Sequence, residues 1–245
     1  MLYLHGFPTS SDDWEPFLQR TGGIAPDLPG FGRTGKAGNL DYSLDGQADF
    51  LERFLAELGV HQVKLVVHDW GAGAGLVFAQ RHPDQVSRLV LLNALPLLDG
   101  FKWPRLARIL RRPLLGELVM GATTRRLLAR TLRQGCANPQ AWSAEALEAV
   151  WEQFDQGTQR AILRLFRSVD EHRLAAAGAD LPSIAAAALV VWGEEDPWLA
   201  PSYADAYAGR LTHAELQRTP GAGHWPWLDQ PTVVDRVSEF VQASR

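Results

Sequence analysis

The chain has 245 residues, 46% of them hydrophobic and 21% charged, which excludes a disordered or fibrous protein. Its net charge of −4 excludes a general nucleic-acid binder. Its single cysteine, Cys136, excludes an intrachain disulfide, so a cytoplasmic location is expected. The apolar runs fall far short of the roughly 20 residues that span a membrane.

Read from the N-terminus, short apolar runs alternate with helical patterns, which predicts an α/β protein. Residues 2–4 read as a strand ending at His5-Gly6, and 23–26 as a second short strand. A helix is expected over 43–58, with Ser43 as its cap, Gly59 as its stop and an apolar side made of Leu44, Ala48, Leu51, Phe54, Leu55 and Leu58. Residues 63–67 form a β-branched run suited to a strand buried on both faces. A helix follows over 73–81, then strands at 86–92, 187–192 and 214–217, and a closing amphipathic helix over 233–242. Between about 94 and 182 strand signals vanish and helical ones take over. This predicts a helical cap inserted into a core made of 1–93 and 183–245. Within the insertion, residues 101–133 hold nine basic side chains and one acid, Glu117. Solvated arginine faces are one reading of that excess, and a basic lid that draws anionic substrates is another.

Chemistry concentrates at Val66-Val67-His68-Asp69-Trp70-Gly71-Ala72-Gly73. A buried strand running through a tight, small-residue turn into a helix projects one side chain into a pocket. That side chain is Asp69, placed for carboxylate attack and a covalent ester, with the helix dipole favouring its ionised form. Five segments then stand in order: His5-Gly6-Phe7-Pro8, Asp27-Leu28-Pro29-Gly30-Phe31-Gly32, His68-Asp69-Trp70-Gly71, Trp192-Gly193-Glu194-Glu195-Asp196-Pro197 and Gly223-His224-Trp225-Pro226. On these the chain resembles the α/β-hydrolases, in the aspartate-nucleophile branch that holds haloalkane dehalogenases, epoxide hydrolases and haloacetate dehalogenases.

The resemblance implies a mostly parallel sheet flanked by helices and a reaction without cofactor or metal. It implies His224 as general base and Asp196 as its acid partner, ahead of the neighbouring Glu194 and Glu195. Backbone N–H groups of Phe7 and Trp70 become the oxyanion donors, and the Trp70 indole a halide donor. His5 and His68 flank the site and shape its turns, whereas His61, His82, His172 and His213 read as structural. Epoxide hydrolases use two cap tyrosines, but the four tyrosines, Tyr3, Tyr42, Tyr203 and Tyr207, all lie outside the insertion. The insertion carries Trp103, Trp142 and Trp151, any of which can line the pocket or supply a second halide donor.

A haloalkane dehalogenase-like activity on a small apolar substrate and water is therefore expected. The alternatives are an epoxide hydrolase with an atypical cap acid and a non-catalytic binding protein of the same fold. The resemblance also implies two strands before residue 2. Either the chain starts at an internal codon, or it folds on six strands with residues near Ile24 as an exposed edge that invites a homodimer.

Overall fold

The computed structural model describes residues 1–243. Five strands form the sheet: β1 (Leu2–Leu4), β2 (Val63–His68), β3 (Val86–Ala94), β4 (Ala187–Gly193) and β5 (Ala214–Thr219). They lie side by side in the order β1-β2-β3-β4-β5, and every pairing is parallel. The register runs through Leu2↔Leu65, Leu65↔Leu89, Leu89↔Ala188 and Ala188↔Ala214. β-Branched and leucine side chains fill the inner strands because both faces of such a sheet are covered.

The expected strand at 23–26 is corrected to a single bridge, in which Ile24 lies parallel to Leu2. Ile24 accepts from the Tyr3 N–H and donates to the Met1 carbonyl. Gly22 and Gly23 take φ of 62° and 121°, which breaks the extended run before it can form a ladder, and Pro26 has no N–H to continue it. The sheet thus has five strands rather than six.

Helices follow the strands. α1 (Glu15–Thr21) follows β1, and α2 (Leu44–Glu57) packs on α3 (Asp69–Arg81), which lies against β1, β2 and β3. Ser43 caps α2 by accepting from the Gly46 N–H, and Leu44, Ala48, Leu51 and Leu55 are buried while Leu58 is half exposed. After β4 come α10 (Ser202–Arg210), and after β5 α11 (Pro226–Asp229) and α12 (Thr232–Gln242).

Between β3 and β4 the described residues hold no strand. They form α4 (Arg105–Leu110), α5 (Leu115–Gly121), α6 (Arg125–Gln134), α7 (Ala144–Gln153), α8 (Gln156–Ser168) and α9 (Glu171–Ala177). Among the described residues no helix is long and apolar enough to cross a membrane.

The topology selects one place for a site. From β1 the chain goes outward to Ile24, then returns to the other side of β1 to make β2. The connections therefore diverge at the carboxyl ends of β1 and β2. Open parallel sheets leave a crevice at such a switch point, and it opens here between Phe7 and Asp69.

Candidate functional site

Asp69 stands at the junction of β2 and α3, with φ of 45°. Left-handed backbone is costly for a non-glycine residue and is held only by its surroundings. The surroundings here are small: a Cβ on Gly6 would fall 2.5 Å from the Asp69 Cβ, and one on Gly71 would fall 2.4 Å from the His5 carbonyl oxygen. The turn therefore needs glycine at both places. The Asp69 carbonyl is tied to β3 by the Leu95 N–H at 3.0 Å.

The Asp69 side chain is buried. Its Oδ2 accepts the Phe7 N–H at 3.0 Å, and the Trp70 N–H bonds the same carboxyl group. Oδ1 faces His224, with 3.9 Å to Nε2. Burial raises the pKa of the carboxyl above its ordinary value, against the pull of His224 and the two backbone donors. Burial thus outweighs the helix N-terminus in setting the direction.

His224 sits in the loop between β5 and α11, where its N–H donates to the Gly135 carbonyl at 2.6 Å. Its Nδ1 meets Asp196 Oδ2 at 2.8 Å. Burial opposes a charge on the imidazole, but Asp196 and Asp69 overcome it and move the pKa upward. Asp196 lies just past β4, and each of its oxygens is occupied. Oδ1 accepts from the N–H groups of Trp198 (2.8 Å) and Leu199 (3.0 Å), and Oδ2 from Asn93 Nδ2 at 2.7 Å as well as His224. A carboxylate so held stays in place and fixes which nitrogen of His224 carries the proton.

His5 and His68 shape the turns. The His5 Nδ1–H donates to Gly6 O at 2.8 Å, and Nε2 accepts the Leu28 N–H at 2.9 Å, which joins β1 to the loop of residues 27–32. His68 Nε2–H donates to the His224 carbonyl at 2.8 Å. Burial, followed by the charge of His224, depresses the His68 pKa well below its ordinary value, so this ring is neutral.

The reacting edge opens on a cavity of about 170 Å³. Phe7, Pro8, Asp69, Trp70 and His224 come from the core, and α4, α5, α6 and α8 supply most of the rest. Trp103 lines it, stacked on Trp70 with ring centroids 6.0 Å apart and planes at 22°. The Trp103 indole nitrogen is buried without a hydrogen-bond partner. Trp142 and Trp151 are not part of the lining: Trp142 packs edge-on against Trp225, and Trp151 stacks on Phe154. Two threonines line the cavity, but the Thr123 and Thr131 hydroxyls already donate to the Val119 and Leu127 carbonyls. None of the four tyrosines lines it.

Three residues of the site escaped the sequence reading. Asn93, with φ of 36°, bridges Asp196 to the Gly193 N–H. Its one signal was a polar residue at the carboxyl end of a buried strand. Trp198 presents its edge to the His224 ring at 4.9 Å and lines the cavity. Asp229 accepts from the N–H groups of Ala137, Asn138 and Gly223, so it pins the helical stretch to the His224 loop. No metal-binding cluster of histidine, cysteine and carboxylate side chains occurs among the described residues.

A carboxylate that takes the Phe7 N–H on Oδ2 and a second backbone donor from Trp70, and that turns Oδ1 toward a histidine with a fixed acid partner, suits nucleophilic attack followed by base-assisted hydrolysis. Residues 1–231 match the family model described as alpha/beta hydrolase fold. Haloalkane dehalogenase 1 of Mycobacterium tuberculosis is 31% identical over 99% of this chain and 78% of its own length. Epoxide hydrolase 2 of Caenorhabditis elegans is 26% identical over 98% of this chain and 72% of its own. The crystal structure of a haloalkane dehalogenase from Bradyrhizobium elkani USDA94 superposes with a TM-score of 0.83, at 26% identity, over 98% of this chain and 88% of that one. The chain belongs to the α/β-hydrolase-fold family and is a hydrolase.

Proposed function

We propose that the chain is a haloalkane dehalogenase-like hydrolase that works through an ester on Asp69. Asp69 Oδ1 attacks the halogen-bearing carbon, and the carbon–halogen pair leaves as halide beside the indoles of Trp70 and Trp103. His224 Nε2 then takes a proton from water as that water adds to the ester carbonyl carbon. Negative charge gathers on Oδ2, where the N–H groups of Phe7 and Trp70 receive it. The alcohol departs, Asp69 is regenerated, and the proton on His224 leaves with the halide. The 3.9 Å between Nε2 and Oδ1 supports this order, since it leaves room for a water touching both.

The observation that carries the choice of leaving group is the polar inventory of the cavity. Opening an epoxide leaves an alkoxide that needs a proton. The lining holds no tyrosine hydroxyl, and its two threonine hydroxyls are committed to backbone carbonyls. Indole N–H groups donate hydrogen bonds but do not release a proton, which suits halide and not alkoxide. Apart from Asp69 and His224 the remaining lining is apolar and holds no lysine or arginine to pair with a substrate carboxylate, which favours neutral haloalkanes over haloacids. In this reading residues 94–182 are the cap over a core of 1–93 and 183–245. The unpaired, buried Cys136 fits a cytoplasmic location.

The test uses His224→Gln incubated with a panel of bromo- and chloroalkanes and with epoxides, followed by intact mass and peptide mapping. The expected result is an alkyl adduct on Asp69 from the haloalkanes, with halide release by the unaltered chain. An adduct and diol product from epoxides alone would replace this reading by the epoxide hydrolase one. No adduct from any compound would favour a binding protein.

A further inference from the structure

A reaction that expels an anion gains from positive charge near the leaving group, yet the cavity lining contains no lysine or arginine. Of the nine basic side chains in residues 101–133, eight are exposed: Lys102, Arg105, Arg108, Arg112, Arg125, Arg126, Arg130 and Arg133. Arg111 differs from them. It is half-buried, and its guanidinium carbon lies over the Trp103 ring, 4.4 Å from the centroid. Its Nη1 donates to the backbone carbonyls of Phe166 and Val169, and no carboxylate forms an ion pair with it among the described residues. Asp170 and Glu171 act on it only at longer range.

An uncompensated cation withdrawn from water is costly and carries its field into the apolar surroundings. Here the cost falls on the wall of the cavity. Trp103 is a lining residue, is stacked on Trp70, and has an indole N–H without a partner. A guanidinium against an indole face draws electron density from the ring and makes its N–H a stronger donor. The same charge attracts an anion in the cavity without itself lining it, so no salt bridge traps the halide.

We infer that Arg111, stacked behind Trp103 and outside the cavity, is a positioning residue that polarises the Trp103 indole toward the departing halide. This rests on the dehalogenase reading above. It predicts that Arg111 matters most for the poorer leaving group, since chloride leaves with more of the barrier to be met by anion stabilisation than bromide does. It gives a use to one member of the basic run and leaves the other eight as solvated side chains.

The experiment compares bromide binding, read by quenching of tryptophan fluorescence, with kcat/KM for paired chloro- and bromoalkanes. Arg111→Gln removes the charge and keeps an amide on a stem too short to reach the Phe166 and Val169 carbonyls as Nη1 does, so the chloride-to-bromide ratio and the Trp103→Phe background, rather than the loss alone, separate charge from clamp. Arg111→Lys keeps the charge and loses the planar fork. The expected result is bromide binding weakened about fivefold or more by Arg111→Gln, a larger loss in kcat/KM for the chloroalkane than for the bromoalkane, and Arg111→Lys within about twofold of the unaltered chain. In a Trp103→Phe background the Gln substitution should lose most of its effect, because the group it tunes is gone.

Equal behaviour of Arg111→Gln and the unaltered chain overturns the inference, and so do equal losses from Gln and Lys, which mark a purely structural clamp. Should Arg111→Gln not fold, Glu171→Gln, at an exposed position, runs the test in the opposite direction. It removes a carboxylate that opposes Arg111, so bromide binding should tighten, and an unchanged affinity overturns the inference. Failure of the unaltered chain to bind bromide or release halide is a separate outcome, and it removes the dehalogenase reading itself.

Discussion

Asp196 has four hydrogen-bond partners, and Asn93 is the one the sequence did not mark. Removing it with Asn93→Ala strips an amide donor from Asp196 Oδ2 and orphans the Gly193 N–H. The cost expected is about 1–3 kcal/mol of stability. Asp196, freed of that donor, then attracts the proton on His224 more strongly. The His224 pKa, already above the ordinary 6.5, moves further up. Under the ester mechanism proposed above, Asp69 does not titrate in the intermediate and His224 does, so the acidic limb of kcat should shift to higher pH. Asp196→Asn should shift the same limb downward, and a pH–kcat profile of the two variants checks both directions.

A second residue-scale prediction concerns Asp13, whose Oδ2 accepts the Thr9 hydroxyl. Burial pushes its pKa up from 3.8 to about 7. Between those two values the folded protein keeps a proton that the unfolded chain gives up. Stability from this group is greatest below about pH 4 and is lost as pH rises toward 7. Asp13→Asn should leave Tm near pH 4 unchanged and raise it by roughly 3 °C at pH 8. A thermal melt at both values checks it, and a lower Tm at pH 8 overturns it.

At the scale of elements, the inner strands were legible because β-branched and leucine runs carry burial on both faces. Those at 63–68, 86–94 and 187–193 begin where the expected runs do and extend them by one to two residues, whereas the edge strand at 214–219, Ala-Glu-Leu-Gln-Arg-Thr, is largely polar and more exposed yet extends its expected run by two. The short α10 was not legible because Ser202-Tyr203-Ala204-Asp205-Ala206-Tyr207 lacks an apolar stripe; it is held by Tyr207, whose hydroxyl bonds Leu95 and Leu97 of the β3 exit. Ile24 misled because apolar content was weighed without the two glycines before it. The site followed the same division. Asp69, His224 and Asp196 stand in local motifs, whereas Asp229 acts through backbone partners 91 and 92 residues away in the chain, which no spacing rule reveals. Asp229→Ala frees three N–H groups at once and loosens the join between residues 137–138 and the His224 loop. The loss expected is about 3 kcal/mol in urea unfolding, with kcat falling more than KM rises. Unchanged stability would show that the join is held elsewhere.

Across the whole molecule, charge and chemistry are separated. The nine basic residues of 101–133 gave two readings, and the structure favours the solvated one: eight are exposed, and Arg125, Arg126, Arg130 and Arg133 line a surface groove between α6 and α7 rather than the cavity. The cavity meets substrate with leucine, phenylalanine and tryptophan, and His224 is enclosed by the edges of Trp198 and Trp225, each 4.9 Å from its ring. Those two indoles, packed around a buried imidazole, account for part of the high tryptophan content. A neutral substrate entering such a cavity feels the basic surface only as a field, and a field acts on charge. Between about 20 mM and 500 mM salt the Debye length falls from roughly 20 Å to 4 Å. For a neutral bromoalkane, kcat/KM should change by less than about twofold across that range, apart from weak inhibition if the added anion is itself a halide, which a sulfate series separates. A fall of tenfold or more in sulfate would mean that the arginine surface steers substrate after all, and that the molecule takes anionic substrates although no lysine or arginine lines its cavity.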